Sequence, residues 1–270
     1  MASKPSKRLV VCADDFGMSR PINDAILQLA DQGRLNATSC LVDGAAFQAQ
    51  ASALKQSGLQ VGLHLNFTEK LSARQGVFLP LGRLMRVCWA RTLDAAVVQQ
   101  QIKAQLLRFN DVLGEQPAFI DGHQHVHQFP VIRQALFQVL DQHCGEQKPW
   151  LRSTRAGRLT GVRVSQRFKA HMIHLLGARK FCRMASERGY TTNAGFLGVY
   201  DFRGGIPSYQ ALLQHWLENA RDRDMIMCHP AMLADATDPL GEQRVAEFDV
   251  LRSGTTGELF ALNSVQLNSR

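Results

Sequence analysis

Paired cysteines are missing from this sequence. Its six cysteines, Cys12, Cys40, Cys88, Cys144, Cys182 and Cys228, are scattered without any CxxC spacing and sit mostly inside apolar runs. That pattern argues against both a disulfide framework and a thiolate zinc site. They read as reduced, mostly buried small hydrophobes, Cys228 beside His229 included. Long hydrophobic runs are missing too. None approaches the ~18 consecutive apolar residues of a spanning helix, and the first eight residues lead into a short strand-like run, not a signal-peptide core. A cytoplasmic location is the expectation. No Pro- or Ser-rich linker and no low-complexity tract divides the 270 residues. One domain over residues 1–270 is therefore expected, with residues 1–6 disordered and residues 253–270 a loop-like tail. A hydrophobic content of 45%, near the ~45–50% usual for globular proteins, suffices for a full core.

Acidic residues are scarce in one stretch. Residues 148–188 hold eleven Lys or Arg and one acid, Glu187, so this block carries +10 of a net +8 and the remainder is −2. The block reads as a solvated helix face, or as a basic surface for an anionic substrate, a phospholipid surface or nucleic acid. No RNP-like aromatic motif, zinc-finger spacing or basic heptad region accompanies it, so nucleic-acid binding is not expected.

What the chain does have is alternation. Apolar, β-rich runs at residues 8–13, 37–42, 60–66, 118–122, 150–153, 194–199 and 224–228 alternate with helical patterns at 21–32, 45–56, 94–113, 130–142, 164–187, 208–221 and 242–252. Seven βα repeats fit an α/β fold, a TIM-like barrel of about seven parallel strands, better than two domains. Pro21 and Pro130 suit a first helical turn and Gly33 and Gly114 suit helix ends. Ser19 is expected to cap the first helix.

Polar residues cluster where the apolar runs end. The first run closes in Asp14, Asp15, Phe16 and Gly17. The third carries His64, the fourth ends in Asp121, Gly122, His123, Gln124, His125, Val126 and His127, and the last ends in His229 and Pro230. In a parallel barrel the C-terminal strand ends converge on one face, where such enzymes place their chemistry. One or two carboxylates and several imidazoles from separate strands form a mixed N/O donor set suited to Zn²⁺ or a related divalent ion. Of the two aspartates, one is expected to ligate and the other to take a proton from water. Alternate residues of a strand face opposite ways, so the turn at Phe16 and Gly17 must aim both carboxylates at the site. His123, His125 and His127 would share a face if extended, and a bend after Gly122 would separate them. One ligand is expected from this segment, with another histidine orienting it or touching substrate. Trp150, Arg152, Phe196, Tyr200 and Asp201 flank strand ends and are candidate substrate contacts, with core packing or a surface ion pair the competing role.

The series Ala13-Asp-Asp-Phe-Gly17, Gly62-Leu-His-Leu65, Asp121-Gly-His-Gln-His-Val-His127 and Cys228-His-Pro-Ala231 resembles the YdjC family, which contains chitooligosaccharide and hopanoid-biosynthesis-associated deacetylases. The likeness runs in order over about residues 8–251. It implies a distorted barrel related to polysaccharide deacetylases, a divalent metal (Zn²⁺ or Mg²⁺) and hydrolysis of an N-acetyl group on an amino sugar or oligosaccharide. By motif it also implies a metal triad of Asp15, His64 and His123, with Asp14 as general base and His229 as general acid. Gly122 and Gln124 stand where the family commonly has a serine and a histidine. The basic stretch, together with the hopanoid branch, suggests an anionic or lipid-linked glycan as partner, and a homodimer is compatible with the sequence. Two other readings remain from the residues alone. One is a different metal-dependent barrel enzyme, such as a phosphoesterase or sugar isomerase. The other is a non-enzymatic binder working through residues 148–188.

Overall fold

Each of the seven apolar runs forms a strand, because a strand covered on both faces of a parallel sheet must be apolar nearly throughout. The structure, a computed structural model, describes residues 6–145 and 147–267. Its strands are β1 Lys7–Arg8, β2 Val10–Phe16, β3 Ala37–Cys40, β4 Gln60–Leu65, β5 Phe119–Gly122, β6 Trp150–Leu151, β7 Phe196–Leu197, β8 Met225–Cys228 and β9 Val265–Gln266. Seven of them pair in the order β6-β5-β4-β3-β2-β8-β7, and every pairing is parallel. The sheet curls until its edges nearly meet. Isolated parallel bridges, Leu151 with Thr192 and Ala156 with Phe196, link the two edge regions in place of a continuous ladder. The expected distorted barrel is the observed one.

Helices pack outside this sheet on apolar stripes. Helix Arg20–Asp31 buries Ile22, Ala25, Ile26 and Leu29, a helical period, and opens with Pro21 in its first turn. Ser19 occupies the N-cap position as expected, but its side chain makes no capping bond; the nearby Gly17 N–H donates to Asn23 Oδ1 instead, at 2.6 Å. Helix Ala95–Leu113 is capped by Asp94, whose carboxylate accepts from the N–H groups of Ala96 and Val97, and it ends at Gly114 in the left-handed region.

Three expectations need correction. The predicted helix over 164–187 is two, Val164–Leu175 and Ala178–Glu187, broken at Gly177. There φ is +142° and a Cβ would lie 2.5 Å from the Gln128 carbonyl oxygen, which enforces the break. The 45–56 segment likewise divides, into Ala45–Ala49 and Ala51–Gln56. The expected C-terminal tail is ordered: Ser253 caps helix Gly254–Leu262, and β9 pairs with β1, tying the two ends of the described chain together. Two glycines in that helix lower its intrinsic propensity, which hid it in the sequence. Helix Leu81–Ala90 was not expected, although Leu81, Leu84, Met85 and Cys88 fall at helical spacing; Leu84 and Cys88 are its buried residues. Residues 1–5, expected to be disordered, and 268–270 of the tail lie outside the described residues.

All six cysteines are free, and Cys12, Cys40, Cys88 and Cys228 are buried. Burial pushes the Cys228 thiol well above its ordinary pKa, so it is inert packing.

Strand β2 ends in a tight approach. Gly17 has φ +100°, and a Cβ there would lie 2.6 Å from the Leu41 carbonyl oxygen and 2.8 Å from Phe47 Cβ. Gly17→Ala is expected to lower stability by roughly 2 kcal/mol or more, through left-handed strain plus overlap. Thermal unfolding of the variant beside the parent protein checks this.

Candidate active site

The two aspartates of β2 reach the same cavity through an irregularity in the strand. Ala13 pairs with Thr38 and Phe16 with Cys40, so β2 advances three residues while β3 advances two. The extra residue is accommodated at Asp15, whose φ is +72°. A regular strand would send Asp14 and Asp15 to opposite faces; the bulge turns Asp15 back. The aiming device is thus Asp15 itself, one residue before the Phe16-Gly17 turn that the sequence suggested.

The bend after Gly122 is as expected. Residues His123–Gln128 form a short 3₁₀ segment in which Gln124 and His125 have positive φ, so the three imidazoles diverge. His123 points at the β2 carboxylates, with Nδ1 3.0 Å from Asp15 Oδ1. From β4, His64 Nε2 comes within 3.5 Å of the same oxygen. One donor atom from each of Asp15, His64 and His123 lies within 4.8 Å of the others. The three residues implied as ligands do converge.

Buried partners fix each of them. His64 Nδ1 is 2.6 Å from Asp121 Oδ1 and 2.9 Å from Ser39 Oγ, and Ser39 donates to the same Asp121 oxygen. The ring therefore donates Nδ1–H to a carboxylate and presents the Nε2 lone pair to the site, the orientation a metal-ligating histidine adopts. Asp15 Oδ2 is held by Arg244 Nη2 at 2.7 Å, and Arg244 is braced by Asp238 at 2.6 Å. Burial opposes ionisation of Asp15, but Arg244 and His123 outweigh it and hold the carboxyl well below its usual range. Burial likewise opposes charge on His64 and His123. The Asp121 and Asp14 carboxylates nevertheless lift His64 to about 10, and Asp15 raises His123. Both shifts mark surplus negative potential where the three donors meet. A divalent cation bound there would relieve it while displacing protons from the imidazoles. The donor set thus fits one such ion.

Asp14 has different company. Arg152, fully buried just beyond β6, forks onto both its oxygens at 2.6 Å each and also reaches Asp121 Oδ2 at 2.6 Å. Arg152 is not the substrate contact that its strand-end position suggested, because its guanidinium is spent on carboxylates below the cavity floor. His127 Nε2–H donates to the Arg152 carbonyl at 2.9 Å, and burial lowers that imidazole to about 4, keeping it neutral. His127 thereby pins the strand that carries the arginine. His125 lines the cavity edge-on to Phe196.

His229, at the end of β8, brings Nε2 to 4.0 Å from Asp14 Oδ2. Its backbone N–H donates to Glu247 Oε2 at 2.6 Å, and Glu247 Oε1 accepts from Tyr200 at 2.5 Å. Burial pushes the His229 imidazole down to about 4, against the pull of Asp15 and Asp14. All five sequence-predicted residues line one cavity of about 620 Å³, whose walls include Met18, Leu71, Ile173, Phe202 and Leu233. Of the other proposed substrate contacts, Trp150 stacks on Phe119 and Tyr200 is spent on Glu247; neither these nor Phe196 and Asp201 line the cavity. Sequence reasoning missed the supporting residues Ser39, Arg244 and Glu247. Ser39 and Glu247 fall inside buried segments with no motif around them. Arg244 lies in a helix where an arginine reads as solvent-facing.

A parallel β/α barrel with acidic and imidazole side chains at its C-terminal strand ends places its chemistry on one rim. The chain belongs to the YdjC-like protein family, whose model matches residues 8–261. It is 29% identical over 272 residues to a chitooligosaccharide deacetylase of Yersinia pestis, covering 97% of this chain and 98% of that one. It is 32% identical over 153 residues to a human carbohydrate deacetylase, covering 52% of this chain and 47% of the human one, so this match spans about half that relative's length. Among solved structures, an Enterococcus faecalis protein provisionally assigned to cellobiose-phosphate cleavage superposes with a TM-score of 0.72 at 18% identity, over 98% of this chain and 97% of that one. A peptidoglycan N-acetylglucosamine deacetylase superposes with a TM-score of 0.54 at 12% identity, over 97% and 86%. These two likenesses bear on the fold. Among the described residues no helix is long and apolar enough to cross a membrane.

Glu247 makes a pH-dependent contribution to stability. Burial raises its carboxyl from 4.5 to about 7, so the folded state favours the protonated form. The resulting stabilisation is full below about pH 4.5 and is lost as pH rises through 7, on the order of 3 kcal/mol. Glu247→Gln, which cannot ionise, is expected to lose less stability than the parent between about pH 5 and 8. Calorimetric Tm against pH for the pair reads the difference directly.

Proposed function

We propose that this chain is a metal-dependent carbohydrate N-deacetylase, acting as one β/α-barrel domain. It would hydrolyse the acetamido group of an N-acetylated amino sugar or oligosaccharide to acetate and a free amine. The observation that carries the reading is the convergence of Asp15, His64 and His123 beside an arginine-clamped carboxylate that is not itself one of the three, with an imidazole 4.0 Å from that carboxylate. The names of the full-length Yersinia relative and of the human relative support it. A cytoplasmic site of action is part of the proposal. The mixed N/O donors favour Zn²⁺, with Mg²⁺ the alternative.

Asp15, His64 and His123 would hold the ion. When bound it supplies a Lewis acid for the acyl oxygen and lowers the pKa of water toward ~7. Asp14 takes the proton from the attacking water. Arg152 fixes both oxygens of that carboxylate in line with the cavity and, always charged itself, cannot compete for the proton. His229 is neutral at pH 7, so it does not begin as an imidazolium. It receives the proton that Asp14 has removed, from a carboxylate oxygen 4.0 Å from its Nε2, and delivers it from Nε2 to the departing nitrogen. Without that delivery the C–N bond would have to expel an amide anion. Apolar walls such as Phe202 and Ile173 exclude competing water.

His123→Ala is expected to lose both metal and activity. Asp14→Asn is expected to keep metal while turnover drops by a factor on the order of 10²–10⁴. Elemental analysis of the purified proteins, with mass-spectrometric detection of acetate from a panel of N-acetylated saccharides, separates the two; equal metal loss would contradict the division of labour. Asp121→Asn, which weakens the anchor of His64, should cost roughly 10–100-fold in metal affinity, measured by competition with a chelating dye. Phosphate release or aldose interconversion without acetate would select a different barrel enzyme.

A further inference from the structure

Helix Val164–Leu175 is apolar on two opposite sides. Gln166 and Ala170 are buried and Ile173 faces the catalytic cavity. Yet Val164, Phe168, Met172 and Leu175 are 78%, 66%, 43% and 69% exposed. Their spacing of four, four and three residues puts them in one stripe along the outer face. Single exposed hydrophobics need no explanation, but an ordered stripe of four large ones over three turns does. Exposed bases stand on the same pair of helices: Arg163 at the N-cap and Arg167 on this one, and Arg179, Lys180 and Arg183, the last 3.7 Å from Glu187, on the adjoining helix Ala178–Glu187.

We propose that this pair of helices is a docking surface for an anionic lipid bilayer. The charge selects the partner. These two helices present five exposed bases against the single acid Glu187, and a two-fold dimer through this face would bring two such sets together, since an isologous interface places each patch against its own copy. The stripe is also short. Twelve residues of helix span about 18 Å, and four side chains fall well below the ~800 Å² per partner of a stable protein interface. Nucleic acid would use the bases but leave Val164, Met172 and Leu175 without purpose. A bilayer uses both features, taking the apolar side chains into its interfacial zone while the arginines meet lipid phosphates.

The helix that carries the stripe also walls the catalytic cavity. Lys169, from the same helix, lines the cavity, donates to the Tyr200 carbonyl at 2.5 Å and lies 4.9 Å from the centre of the Phe202 ring. Phe202 in turn stands edge-on to His229 at 5.2 Å. A bilayer seated on the stripe would therefore lie against the outer side of a helix whose inner side lines the cavity. Docking is independent of the hydrolytic reading; only its consequence, that glycan is taken at a membrane surface, rests on it.

The test is flotation of the purified full chain with vesicles of phosphatidylcholine alone and with vesicles containing roughly one part phosphatidylglycerol in three. The expected result is binding to the anionic vesicles only, suppressed by salt. Phe168→Ser combined with Leu175→Ser should abolish it. Arg167→Ala combined with Arg179→Ala should lower partitioning roughly thirty-fold, about a factor of five for each charge. Both double variants should keep the parent's Tm. Three results would overturn the proposal: no binding of the parent protein to anionic vesicles, binding unchanged by the Phe168→Ser and Leu175→Ser pair, or a dimer in sedimentation analysis that this pair dissociates. None of these readouts depends on deacetylation, so failure here and failure of the hydrolase reading are distinguishable.

Discussion

Three carboxylates buried around two guanidiniums are the constraint on which this structure depends. Asp14, Asp15 and Asp121 are at most 2% exposed, and charges so far from water persist only when paired. Arg152 serves Asp14 and Asp121, and Arg244 serves Asp15 together with Asp238. With one of the two arginines shared outward, the centre keeps excess negative charge, concentrated where His64 and His123 approach Asp15. The raised basicity of those imidazoles is the same fact seen from the other side. A cation among Asp15, His64 and His123 would complete the centre electrostatically.

This arrangement also separates two chemically identical neighbours. Asp14 continues the pleat of β2 and meets Arg152 edge to edge, whereas Asp15 is swung by its left-handed backbone into the imidazole pair. One carboxylate faces the two imidazoles, and the other is held by Arg152 with His229 Nε2 4.0 Å away. The barrel contributes the scaffold: β4, β5 and β8 pair in a common register with β2 and β3, so residues far apart in sequence end on one rim.

Much of this was legible in the sequence. The seven strands could be read because buried parallel strands are nearly uninterrupted apolar runs, and the convergence of the four polar clusters followed from their falling at strand ends, while the choice of His123 from its segment came from the likeness to the YdjC family. The bulge could not be read, since no residue type announces it and Asp15 is not glycine. Arg152 was visible but misassigned, because a strand-end arginine in a basic block looks like a surface or substrate contact until its burial is seen. Arg244 and Glu247 were hidden by the opposite effect: helix Gly241–Arg252 buries both of them, so its polar positions did not mark its solvent face. The apolar stripe on Val164–Leu175 escaped notice because periodicity reports that a helix has an apolar face, not whether the core covers it.

The central claim is that one divalent ion sits among Asp15, His64 and His123, with Asp14 outside its coordination. Anomalous diffraction at the zinc edge from a zinc-loaded crystal tests it most directly. The account predicts a single strong peak about 2.0–2.2 Å from an Asp15 oxygen and one nitrogen each of His64 and His123, with Asp14 still paired to Arg152. A peak bonded to Asp14 or Asp121, or none in this cavity, would contradict it.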